Sequence, residues 1–259
     1  MINKRFAALF VTGLSFIVAG SASAHFGMVI PSENIITQEK KSVEIQLSFS
    51  HPFELVGMDL VKPAQFGVIN NGTKTDVLGS LQETSVMDHI GWSISYDVKR
   101  PGVYQFFMEP QPYWEPMEDV SIIHYTKTIV AAFGFDEGWD EPAGLPTEIV
   151  PLTRPFGNYA GNSFVGQVMM NNKPVPYAEI EVELYNQDNT YRAPSDYHVT
   201  QVVKADEQGI FSYTCPKAGW WGFAALNEAE YTIKNPQGED KGVELGAVLW
   251  IYLDDFSTN

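Results

Sequence analysis

Three histidines carry most of the chemistry that this sequence offers. His25 follows Ala22-Ser23-Ala24, which closes an apolar run (residues 6–19) preceded by Lys4 and Arg5. A basic start, an apolar stretch and a small-residue site form a secretory leader, so residues 1–24 are expected to be removed and His25 to begin the mature chain. A free α-amine has a pKa of about 8 and an imidazole one of about 6.5. Once the amine loses a proton, its nitrogen and Nδ1 can close a six-membered chelate on one metal ion. Nitrogen donors of this kind suit Ni²⁺, Co²⁺, Cu²⁺ and Zn²⁺ rather than Mg²⁺ or Ca²⁺. The plainer alternative is that an exported chain has to begin with some residue.

His51 opens "HPFELVGMD" directly after an alternating strand, at a strand end where loops carry sites, with Glu54 and Asp59 close by. His124 lies within "IIHYTK" beside Tyr125, on the period-two face of Ile122, Thr126 and Val130. On that pattern alone it reads more often as a satisfied core histidine than as a ligand. His89 and His198 read as loop or strand-edge residues outside any site. A shell of His25, His51 and His124, with Glu54 and Tyr125 in outer, orienting roles, is therefore the candidate metal site. The stretch "FMEPQPYWEPMEDV" (107–120) interleaves Tyr113 and Trp114 with four acidic residues, stiffened by Pro110, Pro112 and Pro116. It reads either as an acidic-aromatic lip or ledge or as a stiff edge covering the fold.

The elements that must position these residues are strands. "VEIQLSF" alternates Val43, Ile45, Leu47 and Phe49 on one face, and "WSISYDV" alternates Trp92, Ile94, Tyr96 and Val98. The turn "KRPG" then predicts a hairpin into "VYQFFME", and residues 121–133 read as a longer strand. A Pro-, Gly- and Thr-rich stretch (144–161) reads as an ordered linker. Beyond it, Asn171-Asn172 supply a turn, and Ile180, Val182 and Leu184 alternate against Glu179, Glu181 and Glu183. Trp220, Trp221 and the following "GFAAL" read as core. No long helical period interrupts these strands. The expected fold is all-β: two antiparallel β-sandwich domains, residues 25–157 with the metal site and residues 158–259 immunoglobulin-like.

Composition narrows the function. With Lys4 and Arg5 removed, 14 basic residues stand against 32 acidic ones, a net charge of −18. Such a surface repels nucleic acid and anionic lipid and concentrates cations, although it also serves solubility alone. The single cysteine, Cys215, has no intramolecular partner and reads as a small buried apolar residue. No later segment has the length and apolarity of a membrane span, so the mature chain is expected to be periplasmic, without membrane insertion. G-x-S-x-G, H-E-x-x-H, phosphate-loop and dinucleotide-binding patterns are absent from the sequence, so an enzyme is not the expected class.

The motifs "AHFGMVIPS", "HPFE…GMDL", "PGVYQFFMEPQPYWEPMEDVSIIHYTK", "GLPTEIVPLTRPFGNYAGN" and "GWWGFAAL…ELGAVLW" occur in this order across nearly the whole mature chain. Together they resemble exported bacterial proteins described as periplasmic components associated with ABC-type (energy-coupling-factor) nickel/cobalt uptake. The motif histidines of that family fall on His25, His51 and His124. The resemblance implies a protein that captures Ni²⁺, or next Co²⁺, and presents it to an inner-membrane metal transporter. Two rivals stand beside it. In one, the same histidines form a copper histidine brace for copper handling or oxidative attack on polysaccharide. In the other, the chain is a metal-free adhesion or scaffold module.

Overall fold

The computed structural model describes residues 25–257; the expected leader and its cleavage lie outside the described residues. Alternating apolar residues become strands as the pattern predicts. The first half contains β1 (Phe26–Pro31), β2 (Ser42–His51), β3 (Gln65–Asn70), β4 (Gln82–Val86), β5 (His89–Asp97), β6 (Gly102–Glu109) and β7 (Val120–Ala132). The second half contains β8 (Thr147–Pro151), β9 (Ser163–Met170), β10 (Glu179–Leu184), β11 (Gln201–Lys204), β12 (Ile210–Thr214), β13 (Gly219–Glu228) and β14 (Val243–Asp254). Among the described residues no helix is long and apolar enough to cross a membrane.

The chain is an all-β sandwich protein built in three layers. An outer sheet runs β1–β2–β5–β4, and a second outer sheet contains β8, β9 and β12. Between them lies an 11-stranded sheet whose order includes β11–β10–β13–β14–β7–β6–β3. Alternate residues of β7 feed the two cores. Ile122, Val130 and Ala132 pack with Val43, Ile45 and Leu47 of the first outer sheet. Ile129 and Ala131 pack with Ile149, Phe164 and Val168 of the other. Because neighbouring strand residues point to opposite faces, the outer sheets cover opposite sides of the central one.

Two features depart from the sequence pattern. The strands flanking "KRPG" do not pair with each other: β5 pairs with β2 and β4, whereas β6 pairs with β3 and β7. The turn carries the chain from the outer to the central sheet, so Tyr96 meets Phe106 face to edge across the core, 5.2 Å between ring centroids. β6 is then buried on both faces, and such a strand wants a central position rather than an edge hairpin. On β10 the alternation holds, yet Glu181 and Glu183 are also buried, 9% and 0% exposed.

The halves are joined by parallel pairing of β7 with β14, from Ser121↔Val243 to Thr128↔Trp250. The two sandwiches therefore share the central sheet. Lys127 of β7, fully buried, pairs with Glu148 of β8, whose carboxylate also accepts from the Ala143 and Gly144 amides. That network ties the second outer sheet to the seam. Trp220, Trp221 and Cys215 are buried as the pattern suggests. Burial pushes the Cys215 thiol up to about 12, which leaves it inert.

Candidate metal centre

β1 pairs antiparallel with β2, starting at Phe26↔Ser50. One step further along this register sets His25 opposite His51, and their ring centroids are 4.6 Å apart. Phe49 stacks on the His25 ring at 5.6 Å and meets the His124 ring edge-on at 5.7 Å. Phe49 thus touches both rings, and the His124 charge acts on His25. The proline-stiffened stretch supplies the remaining wall. Its short strand Tyr113–Glu115 pairs with β7, bringing Tyr113 to 6.2 Å from the His25 ring.

Glu115 is buried and has two partners. One oxygen accepts from the Met117 amide at 2.9 Å, and the other lies 3.3 Å from His25 Nε2. A carboxylate facing Nε2 favours the ring proton on that nitrogen, the tautomer whose lone pair is on Nδ1. Burial pushes the His25 imidazole down to about 4; His51 and His124 act in the same direction, and Glu115 and Glu244 oppose them. Desolvation outweighs the carboxylate, so at neutral pH the ring is neutral and the contact is not an ion pair.

His124 is 1% exposed. Its Nδ1 accepts from the Gly27 amide at 3.4 Å, which leaves the proton on Nε2, 3.1 Å from Glu244 of β14. Gly27 and Gly246 make this placement possible. A Cβ at Gly246 would stand 2.3 Å from the ring, and one at Gly27 would stand 2.2 Å from Thr126 Oγ1. Glu118 joins the same neighbourhood. Its carboxyl is pushed up by burial first and then by Glu244 and Glu115.

His25 and His51 therefore come together, and His124 shares the Phe49 ring with His25 while both its nitrogens are engaged by the protein. Of the other two expected residues, Tyr125 lies elsewhere. Glu54 is exposed on the loop after β2, and its charge acts on Glu183. Tyr125 points to the opposite face of β7, among Phe107, Ile123 and Leu145, its hydroxyl held up to about 12 by burial. His89 pairs with Asp59 at 3.1 Å, and His198 with Ser195 at 2.9 Å; both histidines are exposed. The sequence marks Glu115 and Glu118 only as part of an acidic lip and carries no signal for Glu244, which arrives through the parallel seam. Among the described residues no three His, Cys, Asp or Glu side chains are grouped to hold a metal ion as they stand.

The fold and this imidazole–carboxylate cluster define an all-β sandwich protein with a histidine at the head of its first strand. The chain belongs to the DUF4198 family, a domain of unknown function, which matches residues 22–229. No curated protein matches it. Among solved structures it is similar to the D0–D1 domain of intimin, at 9% identity over 88% of this chain and 100% of that one, with a TM-score of 0.23. It is also similar to an Escherichia coli alpha-2-macroglobulin spanning domains MG0-NIE-MG1, at 9% identity over 92% and 74%, TM-score 0.26. A titin immunoglobulin tandem, A164–A165, matches at 9% over 90% and 100%, TM-score 0.21. Likenesses this small carry no statement about function.

Proposed function

We propose that the mature chain, beginning at His25, binds one divalent transition-metal ion at the head of β1. The observation that carries this reading is the 3.3 Å contact of Glu115 with His25 Nε2, which favours the tautomer whose lone pair is on Nδ1. Nδ1 is the ring atom able to share a chelate with the residue's own α-amine, a donor that exists only after the leader is cut. The buried, neutral imidazole needs no proton displaced before it can ligate. His51 stands beside it as the next nitrogen donor. His124 joins only if it gives up Gly27 or Glu244. The donor set is nitrogen-rich with a carboxylate alongside, which fits Ni²⁺, Co²⁺, Cu²⁺ or Zn²⁺ in kind.

The family resemblance of the sequence adds the finer reading. The ion is nickel, with cobalt second, and the periplasmic protein presents it to an inner-membrane ABC-type uptake system without itself being an enzyme. The acidic surface concentrates cations near the site. Isothermal titration of correctly processed protein with Ni²⁺, Co²⁺, Cu²⁺ and Zn²⁺ tests the proposal, beside a control with one extra residue before His25. The extension is expected to weaken binding at least about tenfold, one chelate donor being lost. Equal affinity would remove the amine from the site. Selective, much tighter Cu²⁺ binding would favour the copper histidine brace instead.

A further inference from the structure

β1 is an edge strand, paired within its sheet only with β2. In an antiparallel pair, alternate residues turn their amide and carbonyl groups away from the partner, so an edge leaves a row of them unpaired. Here side chains of the central sheet meet that row. The Gly27 amide donates to His124 Nδ1 at 3.4 Å, and the Trp250 indole donates to the Gly27 carbonyl at 2.8 Å. The Thr128 hydroxyl donates to the Val29 carbonyl. His124 and Thr128 belong to β7 and Trp250 to β14, and all three are buried. Both strands of the seam therefore clasp β1.

His25 has the parity of Gly27 and Val29. Its main-chain nitrogen leaves the chain on the clasped edge, towards the seam and away from β2. After leader removal that nitrogen is the amine of the proposed chelate. Of the three clasping bonds, the one to His124 stands with Gly27, two residues from it. The His124 ring is 1% exposed, and its Nε2 faces Glu244 at 3.1 Å. It fills the space that a Cβ at Gly246 would take, so backbone packing limits its rotation. Turning Nδ1 to a metal would leave the Gly27 amide without its acceptor in a buried place, a state that folded proteins avoid.

We propose that His124 is a positioning residue of the metal centre and not one of its ligands. It holds the Gly27 amide and so sets the direction in which the His25 amine and imidazole meet the ion. This deepens the metal reading and rests on it. The nitrogen donors are then the His25 amine, His25 Nδ1 and one nitrogen of His51. Trp250 and Thr128 complete the clasp further along the strand.

NMR of the mature protein tests this, first without metal and then with Zn²⁺. In the metal-free protein the Gly27 amide is expected to be protected from hydrogen exchange. His124→Leu should remove that protection. His124→Asn should keep it, because the Asn Oδ1 takes the place of Nδ1 as acceptor, and Glu244, partly exposed, can turn to water. On loading with Zn²⁺, ring nitrogens of His25 and His51 should shift, while His124 keeps its proton on Nε2 and its metal-free shifts. By calorimetry His124→Leu should bind Zn²⁺ about 10- to 100-fold more weakly, and His124→Asn should stay within about threefold of the parent. A purely structural histidine would leave the affinity of both folded variants unchanged, and a ligand would make both equally weak; either result overturns the proposal. So does a His124 nitrogen that moves to a metal-bound shift, a reading that needs no variant to fold. Failure of the parent to bind Zn²⁺ would strike the metal reading itself, whereas an unprotected Gly27 amide in the metal-free protein would strike the clasp alone.

Discussion

The imidazole of His124 lies across Gly246: a Cβ added at that glycine would stand 2.3 Å from Cδ2 and 2.6 Å from Nε2 of the ring. The two residues are paired neighbours across the parallel β7–β14 seam. The absent side chain is what lets the ring reach Glu244. A substitution on the second sandwich's last strand thus acts on a histidine of the first.

Gly246→Ala is expected to push the ring off its seat and lengthen the Nε2–Glu244 contact. The overpacking should cost about 1–3 kcal/mol in urea unfolding. The His124 ring resonances should shift in NMR. Unchanged stability and an unmoved ring would show that the glycine is incidental.

Glu115 is expected to act through His25. Glu115→Ala releases Nε2, so both tautomers of His25 become populated, and metal affinity should fall about 10- to 100-fold. Glu115→Gln retains an acceptor and should fall between the variant and the parent. Calorimetric titration of both processed variants distinguishes this positioning role from a general loss of charge, which would make the two variants alike.

Tyr125→Phe should leave metal affinity unchanged. The hydroxyl points to the opposite face of β7, towards the second outer sheet, with Glu109 and Tyr231 as the charges that act on it. A drop in affinity of more than about threefold would require a path through the sheet.

Glu181 confers a pH dependence of known sign. Burial, then Glu244, Glu183, Glu179 and Glu118, push its carboxyl from 4.5 up to about 8. Between those values the folded state keeps a proton that the unfolded chain releases. Its contribution to stability is therefore complete below pH 4.5 and is lost as pH rises through 8. Glu181→Gln should match the parent in urea at pH 4 and exceed it at pH 9 by about 1–3 kcal/mol. Parallel stability profiles would contradict this.

Lys127→Met should cost about 3–5 kcal/mol, because it leaves the Glu148 carboxylate buried against an apolar neighbour. Pairing it with Glu148→Gln should recover part of that loss, since the amide oxygen still accepts from Ala143 or Gly144. A double-mutant cycle in denaturant reads the coupling.

The sequence by itself determined the strands and the inward residues of most of them. Val43, Ile45 and Leu47, or Ile180 and Val182, declare a buried face through a period of two, which depends only on local backbone geometry. It also singled out His25, His51 and His124, because histidines are few and each sits at a marked place. Which strand pairs with which was not local information. The "KRPG" turn is compatible with a hairpin and with a crossing between sheets, and burial of both faces of β6 decided for the crossing. The same holds for the acids. Glu179, Glu181 and Glu183 look alike along the strand, yet only the latter two are covered, with Phe53 donating to Glu183 from a distant loop. Tertiary structure alone brought Glu115 to His25 and Glu244 to His124. The first crosses ninety residues of chain and the second 120, through register and a parallel seam that no local pattern encodes.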